Sequence, residues 1–325
     1  MSKSILITGV AGFLGSHLAE KLLDNGHRIT GIDNFDPFYA ESIKRDNLRK
    51  CLSNSSFKLV ELDICHTEKL FDLQGDWEIV LHVAAKAGVL PSVKKPQDYV
   101  SVNVQGTLNV LEFMRLRGIK KYIFASSSSI YGNSPIIPFT EDQKVEEPIS
   151  PYAFSKRSCE LMNFTYHKLY GIDCLNLRLF TLYGPRQRPD LSIYKFTKLI
   201  ENDEPVQMYG DGSTARDYTH VHDVVNGFLL GMEYLAHHDN VYEIVNIGNT
   251  NPVQLLDLIS KLYKILDKPL NIKQLPKQTG DVEMTCASIE KAQKLLGYTP
   301  TVPFEEGLKS FWEWYKEKNM QHLPV

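Results

Sequence analysis

Tyr152 and Lys156 stand four residues apart, directly behind Ser150-Pro151. Serine is a favoured N-cap and proline a favoured first helical residue, so this segment predicts a helix with phenol and ammonium on one face. Such a pair suits proton transfer. A tyrosine ionises near pH 10 and must be lowered by about three units to act as a base at neutrality, and a neighbouring cation supplies part of that. Upstream, Ser126, Ser127, Ser128 and Ser129 follow an apolar run and precede Ile130-Tyr131-Gly132. At the carboxyl end of a strand, their hydroxyls face the same crevice as Tyr152 and can hydrogen-bond a substrate oxygen.

A second constellation lies at the start of the chain, where Ile5 to Thr8 runs into Gly9, Gly12 and Gly15. Between a strand and a helix, glycines at this spacing permit a tight turn, close approach of backbone to a pyrophosphate, and helix-on-strand packing. The helix N-terminus then offers N–H groups to the phosphates. Asp33 ends the next predicted strand, where its carboxylate accepts ribose hydroxyls and repels a 2′-phosphate, which selects NAD over NADP. The positive nicotinamide ring would then help lower Tyr152. Asp63-Ile64, after the third predicted strand, is placed to bracket the adenine.

Other candidates have plainer readings. His220 and His222 alternate about Val221 as strand residues would, one packed and one in solvent, and without further ligands in register no metal site is expected. His237-His238 reads as a surface turn. Phe311, Trp312, Trp314 and Tyr315 read as the packing face of the last helix rather than a platform for nucleic acid. Arg188 and Arg216 lie in loops after predicted strands, facing a space of diphosphate size, and are assigned to phosphate or carboxylate contact.

These residues need a scaffold, and the apolar pattern supplies one. Short runs at residues 5–8, 28–33, 58–63, 79–84, 122–126 and 174–179 alternate with amphipathic stretches, which predicts a doubly wound α/β fold with a parallel sheet. The first helix is expected from about Leu14 to Asp24, stopping at Asn25-Gly26. Residues 1–179 are expected to form a Rossmann dinucleotide domain, with 217–248 returning to it. Residues 180–325, mainly 180–216 and 249–325, are expected to form a smaller C-terminal α/β substrate lobe. A net charge of -3 gives no electrostatic case for nucleic acid or an anionic membrane. No stretch approaches the ~18 apolar residues of a membrane span. Lys3 and the apolar run behind it lack a signal-peptide cleavage pattern. Five scattered cysteines, odd in number and without a Cys-x-x-Cys pair, fit a reducing, cytoplasmic setting.

The glycine pattern, the serine run before Tyr131-Gly132, and Tyr152 to Lys156 together resemble extended short-chain dehydrogenases/reductases, in particular the nucleotide-sugar 4-epimerases and their dehydratase and decarboxylase relatives. The likeness covers nearly the whole chain. Residues 82–89 resemble the family's fourth strand and nicotinamide-side loop, and residues 103–109 its fourth helix segment. The segment from Phe180 to Asp190 is most similar to UDP-glucuronate 4-epimerases. The resemblance implies NAD as cofactor, a UDP-sugar as substrate, and a homodimer built on the helices near 98–117 and 151–170. It implies Ser127, Tyr152 and Lys156 as catalytic residues. It adds Phe13, Leu14, Ala84, Ala85, Lys86 and Asn103 to the cofactor contacts, and gives Ser128, Ser129, Thr181, Arg188, Tyr209, Arg216 and Asp281 to the substrate.

Dehydratases of this kind carry an Asp-Glu pair after the catalytic threonine, and decarboxylases a Glu. Ser128 and Ser129 stand there, which leaves 4-epimerisation through a 4-keto sugar. Lys86 replaces a usual glutamine and Leu90 a usual arginine, both on the sugar side. The readings that compete are a UDP-glucose 4-epimerase or other nucleotide-sugar epimerase/dehydratase and, more remotely, a non-catalytic NAD-sensing protein, which would typically lack the Tyr/Lys pair.

Overall fold

Strands buried on both faces read as near-continuous apolar runs, because helices cover each side of a parallel sheet. The computed structural model, which describes residues 2–276 and 282–320, has this arrangement. In chain order the first six strands are β1 (Ser4–Thr8), β2 (Arg28–Asp33), β3 (Phe57–Glu61), β4 (Ile79–His82), β5 (Lys121–Ser127) and β6 (Asp173–Leu179). There follow β7 (Thr181–Tyr183), β8 (Val206–Tyr209), β9 (Ala215–His220), β10 (Tyr242–Ile247), β11 (Pro252–Gln254) and β12 (Ile272–Leu275). Seven of them form one parallel sheet in the order β10-β6-β5-β4-β1-β2-β3. The interior strands β4 and β6 are buried at every position, while edge strand β3 is only partly so.

The order reverses between β1 and β4, the point where ligands enter such sheets. Helices Phe13–Asp24 and Val221–His237 contribute to one apolar cluster; Gly106–Arg117 and Pro151–Tyr170 contribute to the other. The first helix ends as its sequence predicts, with Asn25 at the cap and Gly26 in the left-handed region at φ +81°. β3 and β4 each stop two residues before the apolar run does. Leu62, Val83 and Ala84 turn into the walls of a cavity instead, with Asp63 beside them, so their apolarity serves a pocket rather than a strand.

A third cluster gathers Tyr183, Ile193, Leu258, Leu262, Leu308, Phe311 and Tyr315, with Trp312 and Trp314 packed against it. It lies under two small sheets, β11-β9-β7 and β12-β8. Here the structure departs from the sequence reading of residues 217–248. β10 and the helix Val221–His237 do join the large sheet, but Asp217 to His220 belongs to β9, which pairs with β7 and β11. The physical reason is Asp217. Its buried carboxylate accepts the backbone N–H groups of Asn249 (2.7 Å), Thr250 (3.0 Å) and Ala287 (2.9 Å), tying β9 to the C-terminal segments. His222 opens a helix rather than continuing a strand, and His220 caps it, Nδ1 accepting from His222 N–H at 3.3 Å. His220 is buried and His222 exposed.

Candidate active site

A cavity of about 570 Å³ runs along the carboxyl ends of β2, β1, β4 and β5 and is closed on its far side by residues after β6. At its base, Gly9 sits at φ +72°, where a side chain would strike the Ala84 Cα at 2.7 Å. A Cβ on Gly15 would lie 2.1 Å from the Gly9 carbonyl, so this glycine permits the contact between helix and turn. The helix Phe13–Asp24 starts at Gly12 with no side-chain cap and no acidic residue in its first turn. Its N-terminus thus faces the cavity as an anion site. Asp33 holds the turn from behind, its carboxylate accepting the N–H groups of Ala11 and Phe35, each at 2.9 Å. Burial pushes its pKa up, against those hydrogen bonds and the cation of Lys44. Burial also acts to raise Asp63, but hydrogen bonds from Cys65 N–H and Asn34 prevail and hold it below the usual range. An open helix end, glycines that no other residue replaces, and a carboxylate one strand away fit NAD.

Further along, the catalytic candidates meet. Ser150 Oγ caps the helix Pro151–Tyr170 by accepting from Ala153 N–H at 3.1 Å. Ser127, the last residue of β5, accepts from Ser129 twice, from its N–H at 3.2 Å and its hydroxyl at 2.9 Å. A serine has two acceptor lone pairs and one proton. With both lone pairs engaged, the Ser127 proton is left for an oxygen in the cavity, and Ser127 acts to lower the pKa of the neighbouring Tyr152. Burial raises the Tyr152 pKa, and the Ser127 hydrogen bond and Arg188 charge only partly offset this. Lys156 is itself buried and pushed down to about 8, donating to the Ala125 carbonyl at 2.8 Å.

One residue that the sequence reading did not single out fixes this geometry. Glu160, one turn beyond Lys156 and fully buried, accepts from Arg178 of β6 through both carboxylate oxygens at 3.0 Å. It also accepts from Ser126 Oγ at 2.7 Å. Arg178 in turn donates to the Tyr131 hydroxyl at 2.9 Å.

Across the cavity, Arg188 gives Nε and Nη2 to Asp190 at 2.9 and 2.7 Å, two of its five N–H groups, and lies 5.2 Å from the Phe38 ring centre. Thr181, Arg216, Ser128 and Ser129 line the same cavity. So do Phe13, Leu14, Asp63, Ile64, Ala84, Ala85 and Lys86. Among the described residues, two expected ones do not. Asn103 lies behind the wall, bonded to the backbone of Lys86 on both sides, at 2.8 and 3.0 Å. Tyr209 is the outward residue of β8, exposed and off the cavity. Asp281 lies outside the described residues. The cavity also gathers Asp36, Phe38, Tyr39 and Lys44, which the sequence reading passed over. Their signal was positional: they follow β2, and loops after strand carboxyl ends carry the ligands.

A parallel sheet with this turn and a Ser/Tyr/Lys trio at its switch point define an extended short-chain dehydrogenase/reductase. Within that class, the chain belongs to the family described as GDP-mannose 4,6 dehydratase, whose model matches residues 6–311. A UDP-glucuronate 4-epimerase of Thermodesulfobacterium geofontis is 42% identical over 316 residues, 96% of each chain. The crystal structure of UDP-glucuronic acid 4-epimerase from Bacillus cereus, in complex with UDP-glucuronic acid and NAD, matches with a TM-score of 0.91 at 36% identity, covering 97% of this chain and 99% of that one. A UDP-glucose 4-epimerase from Thermotoga maritima, with UDP-glucose, matches at 0.88 and 33%, over 97% and 99%.

Proposed function

We propose that the protein is an NAD-dependent UDP-sugar 4-epimerase that interconverts UDP-glucuronate and UDP-galacturonate. The observation that carries this is the pairing, in one cavity, of the Ser127-Tyr152-Lys156 trio with Arg188 and a hydroxyl run free of carboxylates. Tyr152 takes the proton of the sugar 4-hydroxyl, Ser127 hydrogen-bonds the developing carbonyl oxygen, and Lys156 stabilises the phenolate. Bound along the glycine turn and Asp33, NAD would supply a hydride acceptor for C4 and a hydride donor for its other face. No net oxidation results. Dehydration needs an acid and a base at C6 and C5, and Ser128 and Ser129 provide neither.

A 4-keto glucuronate is a β-keto acid and readily loses carbon dioxide. Ser128, Thr181 and Arg188 can hold its carboxylate so that the C5–C6 bond stays near the plane of the new carbonyl, where cleavage is stereoelectronically poor. Ser129 is the weaker candidate, since its proton is directed at Ser127. Leu90, on the cavity rim and more than half exposed, is the position that favours the neutral-sugar reading.

The test is incubation with a panel of UDP- and dTDP-sugars, with products separated by anion exchange. UDP-galacturonate from UDP-glucuronate with little carbon dioxide is the expected result. Equal efficiency on UDP-glucose, or mainly UDP-pentose, overturns the substrate assignment, and no reduction of bound NAD with any sugar points to a non-catalytic sensor. A homodimer is supported by exposed Phe154, Leu161, Phe164 and Leu169 along one helix and Val100 and Leu116 beside it. Five unpaired cysteines support a cytoplasmic location.

A further inference from the structure

Strand order makes one ion pair unusual. β1 lies between β2 and β4, so a bond joining the loop after β2 to the loop after β4 passes over the carboxyl end of β1, where the glycine turn sits. Asp36 follows β2, Lys86 follows β4, and Lys86 Nζ lies 2.8 and 2.9 Å from the two Asp36 carboxylate oxygens. We propose that this pair is a strap across the dinucleotide groove that retains the cofactor through turnover. The proposal rests on the NAD-dependent reading above.

Both anchors are braced. Asn103 clamps the Lys86 backbone and also donates to Ser155 Oγ at 2.9 Å, on the helix of Tyr152. Asp36 donates its N–H to Asn34 Oδ1 at 3.1 Å, and its carbonyl accepts from Lys44 Nζ at 2.7 Å. Its carboxylate accepts the N–H of Phe38 at 3.0 Å. The Phe38 ring has Lys86 on it at 5.9 Å and Arg188 at 5.2 Å, so the strap also abuts the sugar side. The paired side chains are only 18% and 27% exposed, so solvent screens the pair less than it would a surface bridge. The chemistry gives retention a purpose. An epimerase returns its cofactor unchanged, and cofactor lost as NADH between the two hydride transfers would leave the sugar stranded as a ketone.

The experiment measures NAD release from the loaded protein by dilution into excess etheno-NAD, for wild type, Asp36→Asn, Lys86→Met and the double variant, at low and high salt. Each single variant is expected to release NAD about two- to fivefold faster, the upper part of the range for an ion pair near the surface. The double variant should be no faster than either single, and salt should speed the wild type but not the double. Unchanged rates in the singles overturn the strap. So does faster release in Lys86→Met alone, which means a direct contact with the diphosphate, or additive effects in the double. A wild type that binds no NAD overturns the functional reading itself. Normal NAD binding with failed strap variants leaves that reading standing.

Discussion

The two walls of the cleft are built from different parts of the chain. The cofactor wall is mostly backbone: three glycines, an uncapped helix end, and Asp33 bonded to main-chain N–H groups. The wall proposed for the sugar is mostly side chain: the Ser127 and Tyr152 hydroxyls, Thr181, and an Arg188 with two of its N–H groups already given to Asp190. A backbone wall tolerates few substitutions and accepts one kind of ligand, whereas a side-chain wall can be retuned residue by residue. Relatives with similar folds but different sugars in their names fit this division.

The sharpest way to break the comparison is Tyr152→Phe. It should lower turnover by about 10² or more, the range for a general base, and leave NAD binding nearly intact; near-normal turnover in the purified variant would exclude Tyr152 as the base. Arg188→Ala comes next. A hydrogen bond to a charged group contributes about 1.5–3 kcal/mol, so kcat/KM for UDP-glucuronate should fall roughly ten- to a hundredfold, and for UDP-glucose much less. Equal losses would move Arg188 to the diphosphate. On the cofactor wall, titration of the apoprotein should give NAD at least about a tenfold advantage over NADP, through repulsion of a 2′-phosphate by Asp33. Equal affinities would remove Asp33 from that role.

The smallest effect concerns the seam between the walls. His17, on the cofactor helix, donates to the Pro185 carbonyl at 2.9 Å, and its ring meets that of His222 at 5.7 Å; His222 meets His220 at 4.8 Å. Burial, helped by the Arg186 charge, pushes His17 down to about 3; burial and His222 push His220 down to about 4. Both are neutral in the folded protein and take up protons more readily when unfolded. Their stabilising contribution is thus complete above the unfolded pKa of 6.5 and is lost as pH falls toward the folded values. Near pH 5.5 each loses about 1.4 kcal/mol. Melting temperature should drop between pH 7.5 and 5.5, and His17→Gln should flatten that drop; parallel acid slopes for variant and wild type would rule the histidine out.

What the sequence reveals follows the range of the interactions. The glycine turn, the Ser150 cap and the Tyr152-Lys156 spacing are local, and the strands of the large sheet announce themselves by burial on both faces. Asp217, Glu160 with Arg178, and Asp36 as the partner of Lys86 each look like ordinary charged residues until the fold brings distant segments together. For the same reason β9 was read into the wrong sheet: its place is set by N–H groups of residues 249, 250 and 287. Tyr209 is a different case, since a resemblance fixes a position in the chain but not the direction of a side chain.

The buried Glu160-Arg178 pair also sets an angular phase. Successive residues of an α-helix turn by about 100°, so Glu160 and Lys156 project close together while their sequence neighbours point elsewhere. Turning the helix Pro151–Tyr170 by a single residue would swing Glu160, with Arg157 of the same helix still on it, away from Arg178 and leave that buried guanidinium without its carboxylate, a cost of about 3–5 kcal/mol when one partner is lost. That penalty makes the helix a detented axle. Tyr152 can approach Ser127 in one rotational setting only, and an insertion or deletion between 152 and 160 would misalign the reacting groups even though every one of them remained in the chain.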